Sequence, residues 1–377
     1  MTCKKIFKKP QKSDVLIYDE TYPKIIEDIL KNHTYSILHV RFEQINVYVL
    51  LKSMFSGLSW LKNPFTTYTH TYILEVQPNL IITYIDNKID FYNIGKLFPE
   101  ITTAFIQNGN RDFFDKFFSN TQQDKDYEVD YMFVHNKYIG EEYNKRIKGR
   151  VIPIGSLLNN SFQKISQVKP GRIVYISTWG GENEVDSPYT AYLGNGAELK
   201  INWSVFYKAE SYVLSFLANW CNLNKKELTI VGRGNNEEYK YYTGLIPNYN
   251  FNFTQKITEY TSYEIISTAE IVVSIDSTLG LESFSRGIKT AFFSIRKFDS
   301  LFSRRFGWPA NLPDSGPFWT NRMNDSEFSE IMNFLNQCSQ GDWDYFVAKF
   351  RPQLMDYDPC NSILISTLNN LVYDEFN

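Results

Sequence analysis

The sequence predicts an α/β protein made of two doubly wound, Rossmann-like domains with the active site in the cleft between them. Three observations predict it. Short β-branched or aromatic runs alternate along the chain with longer stretches of helical period, as βα units require. The runs are continuously apolar rather than alternating in and out, so both faces of each sheet are expected to be covered. The series lapses once, over Gly155–Gly171, and then begins again.

In the first half the strand-like runs are Val15–Tyr18, Ser36–Val40, Leu80–Tyr84, Thr103–Gln107, Tyr131–His135 and Val151–Ile154. Between them Tyr22–Lys31, Glu43–Phe55, Asp112–Ser119 and Ile139–Arg146 carry helical spacing. Val47–Leu61 is the most apolar of the helix-like stretches. Lys52 interrupts it, so it reads as core rather than as a membrane span, which needs about 20 apolar residues. The Gly155–Gly171 lapse, rich in Ser, Asn, Gln and Lys, is the linker expected between domains. Beyond it lie the runs Ile173–Ser177, Glu227–Val231, Ile271–Ser274 and Thr290–Ser294. Their helical partners are Trp203–Cys221, Ser262–Thr268 and Leu279–Arg286, followed by Ser326–Cys338, Tyr345–Phe350 and Ser362–Val372. The expected division is a first domain over 1–160, a second over 161–350, and a stretch over 351–377 whose helix returns to the first domain.

Composition narrows the function classes. The 377 residues carry 39 basic and 42 acidic side chains, for a net charge of −3, and 16% are aromatic. A ring-rich, weakly charged chain is not a disordered one. Nor is it a dedicated nucleic-acid binder, which needs a basic surplus to displace counterions. Cys3, Cys221, Cys338 and Cys360 show no CxxC spacing, so reduced thiols and a cytoplasmic setting are expected. The lysine-rich start, Lys4 to Lys9, lacks the apolar stretch of a signal peptide.

Four segments carry chemistry. In Ser274-Ile275-Asp276-Ser277-Thr278-Leu279-Gly280-Leu281-Glu282 a strand ends, hydroxyl residues sit at the turn and a helix begins. Free backbone N–H groups and the helix dipole there suit a phosphate. Ser277 and Thr278 would donate to its oxygens, Gly280 would allow close approach, and Glu282 would accept from ribose hydroxyls. A plain N-cap accounts for the same residues. Arg233, between Gly232 and Gly234 just past a strand, offers a second phosphate contact or a solvated turn. Gln107, Asn108 and Arg111, around Gly109, are placed to meet an acceptor, although Asn108-Gly109 also suits an ordinary tight turn. The acidic loop after Trp179 holds Glu182, Glu184 and Asp186, candidates for a nucleophile or general base. Asp124-Lys125-Asp126 sits in a polar loop rather than after a strand, and the histidines lack HxxxH or HExxH spacing. No metal is therefore expected.

Taken together, Ile106-Gln107-Asn108-Gly109-Asn110-Arg111, Ile154 to Asn160, Tyr175 to Trp179, Ser274 to Glu282 and Gly316 to Thr320 resemble bacterial glycosyltransferases of the GT-B fold. These build O-antigen and capsule, and the closest resemblance is to CDP-glycerol glycerophosphotransferase-like proteins and retaining β-Kdo transferases. The resemblance spans about residues 100–320.

It implies a metal-independent glycosyltransferase that moves a sugar, a 3-deoxy-ulosonic acid such as Kdo, from a CMP-activated donor to a glycan or lipid-linked glycan acceptor. CMP-sugar is then a co-substrate held by the nucleotide-sugar-binding domain over 161–350, the acceptor is held by the acceptor-binding domain over 1–160, and no cofactor is expected. Asp186, Glu182 and Glu184, in that order, are the candidate nucleophiles of a retaining reaction, with Asp112 as acid or base. The polyol-phosphate transferases carry histidine where this chain has Asn108, which favours sugar transfer over a CDP-polyol phosphotransferase. A third reading is a non-catalytic nucleotide-sugar-binding subunit of an assembly complex. The lysine-rich start fits peripheral contact with the inner face of the membrane or with such a complex.

Overall fold

The computed structural model of the chain describes residues 3–22, 24–41, 43–111, 127–164, 167–179, 188–192, 198–202, 204–234, 236–299, 302–303 and 305–373. The chain is a mixed α/β protein with two Rossmann-like domains. Contacts divide it into a first unit of residues 1–108, 123–161 and 358–377, and a second of 109–122 and 162–357.

The first unit holds a six-stranded, wholly parallel sheet. Across it lie Tyr35–Leu38, Val15–Tyr18, Leu80–Thr83, Thr102–Ile106, Tyr127–Val134 and Ile147–Pro153. Val15–Tyr18 and Leu80–Thr83 are buried at every position, because helices cover both faces. One covering helix is the last of the chain, Ser362–Tyr373. Its Leu364, Leu368 and Val372 join Ile26, Ile29 and Leu30 in the core.

The second unit holds a seven-stranded sheet in the order Asn252–Thr254, Glu227–Val231, Arg172–Ile176, Ile271–Ser274, Thr290–Phe293, Trp319–Thr320 and Ser315–Gly316. Only the last pair is antiparallel. Its core is aromatic. Phe284 stacks on Phe318 at 5.0 Å, and Phe293 on Phe328 at 3.9 Å. Ser204–Leu223 and Asp325–Gln337 are among the helices that cover this sheet.

Several expectations change. Glu43–Phe55 is not one helix. Gln44–Asn46 pairs in parallel with Lys4–Ile6, and Asn46 then caps Val47–Met54 by accepting the Val49 N–H at 3.0 Å. Val47–Leu61 is not core either. Gly57, at φ 63°, breaks it into Val47–Met54 and Leu58–Lys62, and Leu51, Phe55, Leu58 and Leu61 face water. The unforeseen helix Pro64–Val76 starts on Pro64 behind the Asn63 cap; its threonine-rich sequence hides a helical period. Asn236–Leu245 and the hairpin Pro188–Tyr192 with Glu198–Asn202 were also not anticipated. The helix expected at Tyr345–Phe350 runs over Gln340–Leu354. Within the polar Gly155–Gly171 lapse, Leu157–Ser161 is helical with Asn159 and Asn160 fully buried. Asn160 donates to the Ile154 carbonyl at 2.7 Å, which explains an amide in that interior. Asp112–Ser119 lies outside the described residues.

Candidate functional site

In the second unit's sheet the chain starts at Arg172–Ile176, winds outward through Glu227–Val231 and Asn252–Thr254, then crosses back to Ile271–Ser274 on the other side of its first strand. The strand order reverses between Arg172–Ile176 and Ile271–Ser274. At such a switch point the loops leaving the two carboxyl ends diverge and open a crevice, where ligands of open α/β sheets bind. Those loops are Ser177-Thr178-Trp179 and Ile275-Asp276-Ser277.

A buried arginine joins them. Arg296, just past Thr290–Phe293 and 6% exposed, holds Asp276 with Nη1 at 3.1 and 2.9 Å from the two carboxylate oxygens. Its Nη2 donates to Thr178 Oγ1 at 2.6 Å. Thr178 in turn donates through its hydroxyl (3.1 Å) and its N–H (3.1 Å) to Glu210, which is fully buried on Ser204–Leu223. Glu210 also accepts from Tyr175 at 2.8 Å, and the Tyr242 hydroxyl lies 2.8 Å from it and 2.5 Å from Ser177 Oγ. Burial first, and then the Glu210 charge, pushes the phenols of Tyr175 and Tyr242 well above their ordinary value, so both remain neutral donors. Both loop bases are thus fixed by a buried, charged and hydrogen-bonded layer. Such a layer restricts the loops to one geometry.

The Ser277 turn is a working N-cap on the helix Thr278–Ser285. Ser277 Oγ accepts the Leu279 N–H at 3.3 Å, its carbonyl accepts the Gly280 N–H at 3.0 Å, and its own N–H donates to Ser274 Oγ at 3.2 Å. The array of free N–H groups expected from sequence is therefore largely consumed by the turn. A ligand would meet the positive end of the helix and the two hydroxyls. Thr278 Oγ1 accepts the N–H of Asn110, at 3.1 Å. Gly280 has a packing reason. A Cβ there would stand 2.5 Å from Ser274 Cβ, so the missing side chain admits the strand rather than a ligand. Glu282 is 6% exposed, and one of its oxygens accepts from the Tyr263 hydroxyl at 2.9 Å.

Arg233 has an exposed side chain. Its turn is braced by Glu238, buried at the start of Asn236–Leu245, which accepts the N–H of Arg233 at 2.8 Å and of Gly234 at 2.9 Å. A carboxylate therefore occupies the anion-binding position that this turn would offer through its backbone.

In the first unit Gln107 is 2% exposed and accepts the His135 N–H at 2.9 Å, which makes it part of the framework. Asn108 is exposed, and its N–H reaches Asp86 at 3.4 Å. Arg111 is half-buried within the second unit. The first sheet has its own switch point, between Val15–Tyr18 and Leu80–Thr83. There a buried Asp19 meets Arg41 at 3.1 Å and Lys88 at 3.8 Å, and burial lowers the Lys88 ammonium below its ordinary value. Asp112, Glu182, Glu184, Asp186, Asp124 and Asp126 lie outside the described residues. Among those described, Glu20, His39 and Glu43 bring potential ligand atoms within 4.8 Å of one another.

Sequence reasoning missed Arg296, Asp276 as its partner, Glu210 and Glu238. Arg296 stands three residues past Thr290–Phe293, Asp276 lies within the Ser277 turn without an evident partner in the sequence, and Glu210 and Glu238 lie inside helices. Only strand order reveals their convergence.

The chain matches, over residues 104–372, the model of a family described as "putative O-antigen biosynthesis protein". No curated protein matches the sequence. Its fold is similar to that of the S. aureus MnaA–UDP co-structure, with TM-score 0.54 and 9% identity over 97% of this chain and 96% of that one. The UDP-GlcNAc 2-epimerase of Neisseria meningitidis bound to UDP-GlcNAc is similar at TM-score 0.51 and 12% identity, over 94% of this chain and 99% of that one. The Methanocaldococcus jannaschii UDP-GlcNAc 2-epimerase, in complex with UDP-GlcNAc and UDP, gives 0.52 and 9% over 94% and 98%.

Proposed function

The chain belongs to this O-antigen biosynthesis family, and from that premise we propose that it is a nucleotide-sugar-dependent glycosyltransferase of surface-polysaccharide assembly. The observation that carries the reading is the switch point of the second sheet, where Arg296 ties the Thr178 and Asp276 loops together beneath a capped helix. The helix terminus would stabilise charge as it builds on the departing phosphate, with Ser277 and Thr278 donating to its oxygens. Glu282, oriented by Tyr263, would accept from the ribose hydroxyls. Arg233, extended from its braced turn, would add a cation to the phosphates. The similar solved structures are described with UDP-GlcNAc and with UDP, which supports a nucleotide sugar as the donor.

The finer reading is a CMP-activated 3-deoxy-ulosonic acid such as Kdo as donor and a glycan or lipid-linked glycan as acceptor, supported by the sequence resemblance. In a retaining reaction a carboxylate of Asp186, Glu182 or Glu184 attacks the anomeric carbon, and CMP leaves with the bonding pair. The acceptor hydroxyl then displaces the carboxylate and gives up its proton to a base, assigned to Asp112. The three carboxylates lie within seven residues of Trp179 in the chain, which supports their delivery to the switch point.

Calorimetric titration of the full chain with CMP, CDP and UDP tests the site. CMP is expected to bind, and Thr278→Ala to weaken it by about 1–2 kcal/mol, as loss of one or two hydrogen bonds to a charged group does. Absence of nucleotide binding by the intact protein, or unchanged affinity in a Thr278→Ala variant that melts normally, would remove this loop from the site.

A further inference from the structure

The first unit carries an apolar surface that the nucleotide site does not use. Leu51, Met54, Phe55, Leu58 and Leu61 are 54, 51, 90, 74 and 77% exposed, while Val49 and Ser53 on the other side of Val47–Met54 are buried. Single exposed apolar residues are ordinary, but five within eleven positions form a patch that marks an interaction site. Gly57 creates the projection. Its φ of +63° is strained for any residue with a Cβ, and open space surrounds it, so Phe55 and Leu58 flank a tight outward turn.

The two segments that flank this turn are predominantly basic. Residues 1–12 contain Lys4, Lys5, Lys8, Lys9 and Lys12 and no acid. Residues 47–76 add Lys52 and Lys62 and one carboxylate, Glu75, which is buried and already paired with Lys9 at 3.1 Å and with Lys52. The two segments are neighbours. Lys4–Ile6 pairs with Gln44–Asn46, directly before the helix, and Asn46 Nδ2 donates to the Lys8 carbonyl at 2.9 Å. Phe7, between the lysines, is 71% exposed.

We propose that this lysine-rimmed turn docks on an anionic lipid bilayer, with Phe55, Leu58 and Leu61 entering the interface and the lysines facing the headgroups. Apolar insertion beside a basic rim is the combination that interfacial binding requires. Charge decides the occupant. A second copy of the chain would set lysines against lysines, whereas an anionic surface complements them. No described helix is long and apolar enough to cross a membrane.

The test is co-sedimentation of the full chain with phosphatidylcholine vesicles, with and without phosphatidylglycerol. The protein is expected to bind the phosphatidylglycerol vesicles at least about tenfold more tightly, and to release in high salt. Lys8→Glu and Lys62→Glu should each weaken binding by roughly fivefold or more. Phe55→Ser, Leu58→Ser and Leu61→Ser together should abolish it with the melting temperature and nucleotide affinity unchanged, since these side chains are exposed and far in sequence from the Ser277 turn. Equal binding to neutral and anionic vesicles, no binding to either, or full binding by the triple variant would overturn the proposal. A dimer in equilibrium ultracentrifugation that the triple variant converts to a monomer, with no vesicle binding by the parent, would assign the patch to a second copy instead.

Discussion

Arg296 is the side chain on which the geometry of the candidate nucleotide site most depends, because its guanidinium is buried and shared between two loops. Replacing it by methionine removes the Arg296 charge from the mostly buried Asp276 carboxylate. Breaking such a pair from one side costs about 3–5 kcal/mol. Arg296→Met should therefore lose stability on that order in a denaturant melt and bind nucleotide far more weakly. Arg296→Lys keeps the charge but not the fork that spans Asp276 and Thr178, so it should recover stability better than affinity. If Arg296→Met melts and binds like the parent, the layer beneath the loops has no hold on them. Gly280→Ala provides a contrast at the same turn. Its added methyl would meet Ser274 at 2.5 Å and should destabilise by about 1–3 kcal/mol through overpacking alone.

At the scale of elements, Glu75 shows how a segment without a hydrophobic pattern of its own is fixed. It sits in the last turn of Pro64–Val76 and receives Lys52 from Val47–Met54 and Lys9 from the N-terminal segment. The hydrogen bond from Lys52, and then the ion pair with Lys9, holds its carboxyl below the ordinary value of 4.5, against burial. A carboxylate depressed in the folded state contributes stability that is complete above its unfolded pKa and is lost as pH falls through the folded one. Unfolding titrations between roughly pH 5 and pH 3 should thus show a steeper loss for the parent than for Glu75→Gln. Salt should reduce the difference, because both lysines are exposed to solvent. Identical slopes would mean that the pairs contribute nothing. Elements of this kind are also where sequence and structure part. Val15–Tyr18, Glu227–Val231 and Ile271–Ser274 are legible to the residue, since buried parallel strands admit only apolar runs. Lys4–Ile6 is not, because its register comes from Gln44–Asn46, about forty residues on.

For the molecule as a whole, the alternation of runs makes two Rossmann-like domains readable. The candidate site is readable only in part. The Ser277 turn announces itself by hydroxyls, glycine and a helix start, whereas Arg296, Glu210 and Glu238 gain their meaning from a strand order that spacing does not encode. The end of the chain carries a further consequence. Residues 358–377 belong with the first unit although the second precedes them directly. Asp358 N–H donates to Asn160 Oδ1 at 3.1 Å, Asn361 Nδ2 to the Leu157 carbonyl at 3.1 Å, and Asn369 lies 2.9 Å from His33 Nε2. Leu364 and Leu368, 0 and 2% exposed, fill the core beside Ile26 and Leu30. Each leucine truncated to alanine there should cost about 2–5 kcal/mol, against a total of about 5–15 kcal/mol for an ordinary domain. The double variant Leu364→Ala, Leu368→Ala should therefore unfold the first unit near physiological temperature while the second, whose core contains neither residue, persists. Limited proteolysis is expected to cleave first within residues 1–161 and to leave a resistant fragment over 162–357. Cleavage beginning in that second region, or a single melting transition unchanged from the parent, would show that the last helix is not a structural member of the first unit.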